Sequence, residues 1–545
     1  MRNLRCFLGL FLLSSVLLFP LDASSQSIRW FAFTPHVIRY DRSDPVFFEA
    51  KVSGAPTSVA FEYNGTDVAM WDDGSHGDRI ALDSVYTITF QVSQVISKLT
   101  AADVYRPFIG YCKLYGGTTV VLQLNVFAEI WTESVPLVDV QQLDSAAQAA
   151  ANLVNIVGQV SADNFDARPW SRRFYQFFND DYDFLNIILM PSSPKNRYHF
   201  TVNNSVRGVG PPPRSEIDAS GQYGSAGKLV GVSVFPIPGY FDGAEVGYQH
   251  ELSHQWINFL SGTPFQSGIP HWPLSDVASG VIGLSIPGSN VGGQFPYRLV
   301  PEGNNYRLIF ETDVPSFNDL ELYLMGLLPA DSVKPHFVFD NQNQTPQAGG
   351  LLLGPVTNIS IDSLVSRIGK RVPAFDSSKK QFRIATIIIS GSPLSAAEMS
   401  FYDFFAKRAG LKTTVPFSSG LLRGIAKPFY VSTGGRGELD PSLGARIVSV
   451  SERNSERPTL SALYQNYPNP FNPSTSIRFR ILQRSHVTLT VYEVLGRELA
   501  KLVSGELDAG EYDVRWNPIA LSSGVYFYRI QAGRFVDTKK LLLLR

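Results

Sequence analysis

Short runs of alternating hydrophobic and polar residues dominate the first part of the chain. Segments such as "DPVFFEAKVS", "SVAFEYN" and "VYTITFQVS" are rich in β-branched and aromatic residues and are separated by Pro, Gly, Asn and Asp. This pattern is typical of short strands joined by tight turns. Residues 26–130 are therefore predicted to form an immunoglobulin-like β-sandwich.

The pattern changes near residue 140, where helix-like and strand-like segments follow one another. The alanine-rich segment "DSAAQAAANLVNIVGQV" predicts a helix that begins at Asp144. The segment "SRRFYQFFNDDYDFLNIILMP" predicts a helix and then an apolar strand, and "YHFTVNN" and "KLVGVSVFPIPG" predict further strands. Residues 140–435 are expected to form one mixed α/β domain with "KLVGVSVFPIPG" as its edge strand. The polar stretch 436–460 is predicted to be a linker.

The first 25 residues have the pattern of a secretory signal peptide. Arg2 and Arg5 precede an apolar run from Cys6 to Leu21, and small residues follow at Ala23-Ser24-Ser25. No other segment is apolar for long enough to cross a bilayer, so no transmembrane segment is expected after signal removal. Cys112 would then be the single remaining cysteine, which excludes an internal disulfide.

Length, composition and charge narrow the classes of protein. A chain of 545 residues is long enough for three or four domains. Its 44% of hydrophobic and 17% of charged residues suit packed globular domains. The 47 basic and 48 acidic residues give a net charge of −1, so nucleic acid is not an expected partner.

The last segment contains several short motifs that point to one family. They are "YPNPFNP" at residues 467–473, Gly496-Arg497, Ala509-Gly510, "SGVYFY" at residues 523–528 and Lys539-Lys540. With them, residues 461–545 strongly resemble the C-terminal sorting domain of the bacterial type IX secretion system. The resemblance implies an immunoglobulin-like β-sandwich that engages the type IX machinery. It also implies a protein that is secreted or held at the outer-membrane cell surface of a Gram-negative bacterium.

The segment "GYQHELSHQWINFL" carries the pattern His-Glu-x-x-His at His250, Glu251 and His254. Residues four apart lie on one face of a helix, so both imidazoles can reach one ion. The spacing therefore predicts a zinc site in which Glu251 takes a proton from a metal-bound water. The alternative is a partly buried helix whose histidines hydrogen-bond to the backbone.

A catalytic zinc site needs a third protein ligand. The metzincin extension is absent, because Ile257 and Leu260 stand where that pattern has Gly and His. His271 is the leading candidate, since the chain from Leu260 to His271 is long enough to return to the ion. Glu321 is the alternative third ligand, and Asp276 is left open.

A second resemblance covers residues 174–328. The pieces "DDYDFL", "HELSHQW", "HW" and "LELYLMGL" are similar to those of secreted bacterial zincin-like peptidases. This implies that residues 140–435 are a zincin-like catalytic domain, and that the protein is an exported zinc-dependent endopeptidase. A polypeptide substrate would then bind by strand addition. The competing hypothesis is a cell-surface binding protein, for a glycan or a protein, with a degenerate zincin domain.

The loop "WDDGSHGDRIALD" in the first domain is rich in aspartate and glycine. Asp72, Asp73, Asp78 and Asp83 could offer oxygens to a calcium ion. The same residue types also form turns for backbone reasons alone, and the spacing is not that of an EF-hand. Calcium is therefore the weaker of the two interpretations.

Overall fold

The structure, a computed structural model, describes most of the chain in segments. These are residues 26–39, 45–63, 65–95, 105–131, 137–160, 164–192, 197–209, 217–236, 247–257, 260–266, 271–285, 292–293, 297–311, 315–345, 347, 349–418, 423–444, 448–453, 460–472, 474–516, 518 and 521–544. The predicted signal peptide, residues 1–25, lies outside the described residues. The described part is a mostly β, multidomain protein.

The N-terminal domain is a sandwich of two sheets, in agreement with the predicted immunoglobulin-like architecture. Its elements are β1 (Ser27–Thr34), β2 (Val37–Arg39), β3 (Val46–Ser53), β4 (Ser58–Tyr63), β5 (Thr66–Met70), β6 (Val85–Phe90), α1 (Val92–Val95), β7 (Tyr105–Gly116) and β8 (Thr119–Trp131). One sheet has the order β1-β3-β6 and the other β2-β8-β7-β4-β5. Every second side chain of β3 is buried, which fills the space between the sheets with apolar groups such as Phe48.

The central domain is built on an eight-stranded sheet. The strands of the domain, in this sheet and in smaller ones, are β9 (Gln141–Asp144), β10 (Ala147–Ala149), β11 (Leu153–Val157), β12 (Phe184–Leu189), β13 (Tyr198–Thr201), β14 (Asn203–Asn204), β15 (Ile217–Asp218), β16 (Gly231–Phe235), β17 (Leu284–Ser285), β18 (Gly292–Gly293), β19 (Tyr297–Glu302), β20 (Asn305–Phe310), β21 (His336–Phe339), β22 (Leu351–Leu352), β23 (Val356–Ile359), β24 (Gln381–Ser390), β25 (Val415–Ser418), β26 (Arg423–Ala426) and β27 (Glu438–Asp440). Its helices are α2 (Ala167–Tyr175), α3 (Gly247–Ser253), α4 (Asp319–Met325), α5 (Ile361–Ile368), α6 (Ala396–Arg408) and α7 (Phe429–Ser432).

The main sheet has the order β13-β16-β12-β24-β11-β10-β9, and β27 extends β24. Strands β11, β24, β12 and β16 run parallel, and β13 is antiparallel to β16. Strand β12 is buried on both faces: Phe184 and Ile188 face one core, and Leu185 and Ile187 face the other. Helices therefore cover both faces, with α3 in the first core and α2 in the second.

Two predictions for this domain are wrong. The alanine-rich segment forms strands β9–β11 and not a helix, because its small side chains pack inside the sheet, where Ala147 and Ala149 are fully buried. Strand β16, from "KLVGVSVFPIPG", is not the edge strand, because β13 pairs with its outer side. Among the described strands, β13 occupies this edge and β9 the opposite one.

The C-terminal domain is a second sandwich. Its strands are β28 (Val448–Arg453), β29 (Ala462–Leu463), β30 (Thr475–Ile481), β31 (Ser485–Glu493), β32 (Glu498–Leu507), β33 (Gly510–Trp516), β34 (Gly524–Ala532) and β35 (Phe535–Leu543). The two sheets have the orders β28-β33-β30-β29 and β32-β31-β34-β35. The predicted linker 436–460 is therefore partly structured: β27 pairs within the central sheet, and β28 pairs with β33.

The N-terminal sandwich contacts the central domain beside the main sheet. Phe31 and Ser192 exchange two backbone hydrogen bonds of 3.0 and 2.9 Å, and Ser192 lies just beyond β12. Val37 packs in the core that contains α3, and the backbone N–H of His36 donates to Glu398 at 3.0 Å. Among the described residues, no helix is both long enough and apolar enough to cross a membrane.

Candidate metal centre

Helix α3 places its two histidines opposite the face that anchors it. Tyr248, Leu252 and Trp256 recur at every fourth position and are buried in the first core. The helix tightens at its end, where the backbone N–H of His254 donates to the Glu251 carbonyl at 3.1 Å. His250 and His254 are both buried, at 5% and 8% exposure, so the packed helix fixes their position.

Three of the predicted ligands come together. The Nε2 atoms of His250 and His271 are 3.0 Å apart, and those of His250 and His254 are 3.2 Å apart. His250, His254 and His271 form a group whose ligand atoms all lie within 4.8 Å of one another. Two nitrogens that bind one tetrahedral zinc ion at about 2.0–2.1 Å are about 3.3 Å apart, so the spacing suits such an ion.

The hydrogen bonds on the far side of two rings fix which nitrogen carries the proton. Nδ1 of His250 lies 2.9 Å from the Val281 carbonyl, and Nδ1 of His254 lies 3.1 Å from the Ile257 carbonyl. A carbonyl oxygen only accepts, so both Nδ1 atoms donate, and a neutral ring then has a lone pair at Nε2. Two lone pairs that face each other repel. The donor set therefore fits a cation that accepts both.

The surroundings keep the rings of His250 and His271 neutral. Burial, together with the neighbouring His254 and His271, holds the pKa of His250 well below its usual value. Burial and His254 lower the pKa of His271 to about 3. Neutral imidazole is the form that binds a metal ion.

Glu251 lies beside the cluster with its carboxylate buried. Its Oε1 is 4.0 Å from Nε2 of His250 and accepts a 2.9 Å hydrogen bond from Nε of Arg197. Burial raises the pKa of Glu251 to about 7, and the positive charge of Arg197 opposes that rise. Arg197 comes 54 residues earlier, immediately before β13. No sequence motif marks it, because only the pairing of β13 with β16 brings it here.

The alternative ligand Glu321 is not part of the cluster, so that prediction needs correction. Its side chain is fully buried, and its two oxygens accept four hydrogen bonds from other groups. Asp276 is also elsewhere: it accepts from His336 at 2.9 Å and from the backbone N–H of Phe337 at 3.0 Å. Neither carboxylate therefore has an oxygen directed at the three imidazoles.

The acidic loop of the N-terminal domain brings together Asp72, Asp78 and Asp83 but not Asp73. The oxygens of this triad accept hydrogen bonds from the loop backbone. Asp72 accepts from the N–H groups of Asp83 and Ser84, and Asp78 accepts from Gly74 at 2.7 Å. These are the contacts of turn-forming aspartates. Asp73 likewise accepts from the N–H and hydroxyl of Ser75.

Comparison with known proteins identifies the family of the C-terminal domain. Residues 465–544 match the family model described as the secretion system C-terminal sorting domain. The C-terminal domain is a type IX sorting domain. It indicates a protein that interacts with the type IX secretion machinery and is secreted or exposed at the cell surface.

The other comparisons add no relative for the central domain. No curated protein matches the chain. Similar solved structures include immunoglobulin domains 1–5 of Sidekick-1, domains 1–6 of the surface layer protein SbsC and the extracellular region of Plexin A4. Their TM-scores are 0.13, 0.13 and 0.15, with 8%, 9% and 8% identity. The matches cover 96%, 96% and 95% of this chain but only 59%, 54% and 48% of those chains. Scores this low carry no argument about fold or function.

Proposed function

We propose that the protein is an exported zinc-dependent endopeptidase whose central domain holds zinc through His250, His254 and His271. The observation that carries this proposal is the convergence of three Nε2 atoms beside the buried carboxylate of Glu251. Three imidazoles with one coordination position left for a small molecule is the ligand set of catalytic zinc sites. Export through the sorting domain is compatible with an enzyme that acts outside the cell.

The residues of the site suit the hydrolysis of an amide bond. A zinc ion in this position would supply Lewis-acid chemistry, because it lowers the pKa of water and polarises a carbonyl group. Glu251 would accept the proton of the attacking water and then deliver it to the departing amine. The Glu251 carboxylate, 4.0 Å from Nε2 of His250, is close enough to the cluster for both transfers. Arg197 would hold Glu251 in place and limit its motion.

Strand β13 favours a polypeptide as the substrate. Among the described strands it lies at an edge of the main sheet, a position at which an extended peptide would add by backbone hydrogen bonds. Arg197 directly precedes β13 and contacts Glu251, which brings this edge next to the three histidines. A peptide paired with β13 would therefore pass the catalytic carboxylate.

A peptide-library assay on the zinc-loaded chain (residues 26–545) tests the proposal, with Glu251→Gln as the variant. Loss of the general base should lower the cleavage rate by about 10²–10⁴-fold while zinc content stays unchanged. Glu302→Gln is the matched control, because Glu302 also pairs with an arginine but lies on the exposed β19–β20 hairpin. It should cleave like the unaltered chain. A zinc-loaded chain that cleaves no peptide, or an equally active Glu251→Gln variant, would contradict the proposal.

A further inference from the structure

Glu321 occupies an unusual position for a buried acidic residue. Its side chain has no solvent exposure, and each of its carboxylate oxygens accepts two hydrogen bonds. Oε1 accepts from the indole Nε1 of Trp272 at 3.0 Å and from the backbone N–H of Ile282 at 3.1 Å. Oε2 accepts from the backbone N–H groups of Val281 at 3.3 Å and Asn318 at 3.1 Å. Four donors use the acceptor capacity of one carboxylate.

Two of these four donors belong to residues that adjoin the histidine cluster. Trp272 follows His271 in the chain, so the indole that Glu321 holds fixes the backbone next to one imidazole. Val281 presents its carbonyl to Nδ1 of His250 at 2.9 Å while its N–H donates to Glu321. The Glu321 carboxylate is thus linked to two of the three rings, to His271 through Trp272 and to His250 through Val281.

The backbone is shaped to admit the carboxylate. A Cβ atom on Gly280 would lie 2.4 Å from Oε2 and 2.6 Å from Oε1 of Glu321, which is closer than any side chain allows. Asn318 adds a further tie, since its side chain caps α4 and donates to the Val277 carbonyl at 2.9 Å. The start of α4 and the segment 271–285 are therefore joined at this one point.

We infer that Glu321 is a positioning residue that holds His250 and His271 at the separation a shared metal ion requires. The inference rests on the proposed function, because it concerns the same metal site. Groups that orient ligands from outside the coordination sphere typically change metal affinity by about 10–100-fold when they are removed.

The test is the zinc affinity of Glu321→Gln in residues 26–545, measured by competition with a chromophoric chelator. A glutamine keeps the shape of the side chain but places an NH₂ group against two N–H donors, whichever way the amide turns. Zinc affinity should fall by about 10–100-fold, and the visible absorption bands of the cobalt(II)-substituted protein should shift. Trp272→Phe removes the indole donor and part of a buried ring but leaves the other three donors in place, and it should give a smaller loss in the same direction.

Glu398→Gln is the matched control. Glu398 is also a buried glutamate in a capping box, where it accepts from the backbone N–H of Ser395 at 2.8 Å, but its helix α6 does not contribute to the cluster. Its variant should unfold at a lower temperature and still bind zinc like the unaltered chain. This separates a loss of stability from a loss of metal geometry.

The outcomes distinguish the inference from the proposed function. Glu321→Gln and Trp272→Phe variants that bind zinc like the Glu398→Gln control and keep the cobalt spectrum would overturn the inference alone. An unaltered chain that binds no zinc would overturn the proposed function, and the inference with it. If Glu321→Gln does not fold, the affinity and spectrum of Trp272→Phe decide the question.

Discussion

Two regions of this protein gather three metal-binding side chains each, but they differ in what the side chains already do. In the central domain, the buried His250 and His254 meet the half-buried His271. In the N-terminal sandwich, Asp72, Asp78 and Asp83 meet on a half-exposed loop. In the first group the tips of the rings converge while the far nitrogens of His250 and His254 are hydrogen-bonded. In the second group the carboxylates themselves accept from the loop.

The comparison teaches that convergence alone does not indicate a metal site. The Nδ1 atoms of His250 and His254 donate to carbonyls, which leaves their Nε2 lone pairs directed into the cluster. The oxygens of Asp72 and Asp78 accept backbone N–H groups, so the loop is stable as a turn without any ion. The first arrangement therefore suits a cation, whereas the second is already satisfied as a turn.

The largest expected difference between the two regions is their response to metal ions. Zinc at about 1,000 times its Kd should raise the free energy of unfolding of the central domain by about 4 kcal/mol. Calcium should leave the unfolding of the N-terminal sandwich unchanged, because the loop already satisfies its carboxylates. Calorimetry of residues 26–545, with each ion added separately, measures both effects. A calcium-dependent shift of the sandwich transition would show that the acidic loop binds the ion.

A smaller effect is expected from the acidic loop itself. Asp78→Ala removes the acceptor for the N–H groups of Gly74 and Ile80, and Asp78 is mostly buried. The free energy of unfolding of the sandwich should fall by about 1–3 kcal/mol, while zinc affinity stays unchanged. Asp73→Ala is the control, since Asp73 is outside the triad and should destabilise less. Chemical denaturation followed by tryptophan fluorescence gives the comparison, and equal stability of Asp78→Ala and the unaltered chain would contradict it.

The smallest expected effect concerns His336, a histidine that contacts carboxylates, whereas the histidines of the cluster contact one another. Its nitrogens lie 2.9 Å from Asp276 and 2.8 Å from Asp319. Burial alone would lower its pKa, but the two carboxylates raise it from 6.5 to about 9. The folded-state pKa exceeds the unfolded value, so this pairing stabilises the fold fully below pH 6.5 and loses its contribution as pH rises through about 9.

His336→Gln should therefore reduce the dependence of unfolding temperature on pH between about 6.5 and 9. A thermal unfolding series across that range, with and without the substitution, measures it. His486→Gln is the control, because His486 lies on β31 of the C-terminal domain. Parallel pH curves for the unaltered chain and the His336→Gln variant would show that His336 is not charged in the folded state.

The histidine cluster was largely predictable from the sequence, but the groups that support it were not. The four-residue spacing predicts that His250 and His254 share one face. The chain is long enough for His271 to reach them, but the sequence leaves Glu321 and Asp276 open as third ligands. Arg197 and Glu321 depend on contacts 54 and 49 residues away in the chain, with Glu251 and Trp272, and no local pattern encodes them. Glu321 has a chemically suitable side chain for a ligand, yet four donors already occupy it.

The fold is likewise predictable where a local pattern decides it, and not where pairing with a distant strand decides it. The alternating strands of both sandwiches are readable because each strand buries one face. The segment 141–157 misleads because alanine favours helices in isolation, whereas the parallel pairing of β11 with β24 decides its structure. The edge position of β13 was also missed, since four residues that pair with β16 give too short a pattern to rank strands within a sheet.

The most direct test of the central claim is the zinc content of residues 26–545, measured by mass spectrometry beside His250→Ala, His254→Ala and His271→Ala. The account predicts about one zinc per chain in the unaltered protein and loss of that zinc in each of the three variants. Asp78→Ala should keep its zinc. An unaltered chain without zinc after reconstitution, or a His271→Ala variant that keeps its zinc, would contradict a three-histidine metal centre.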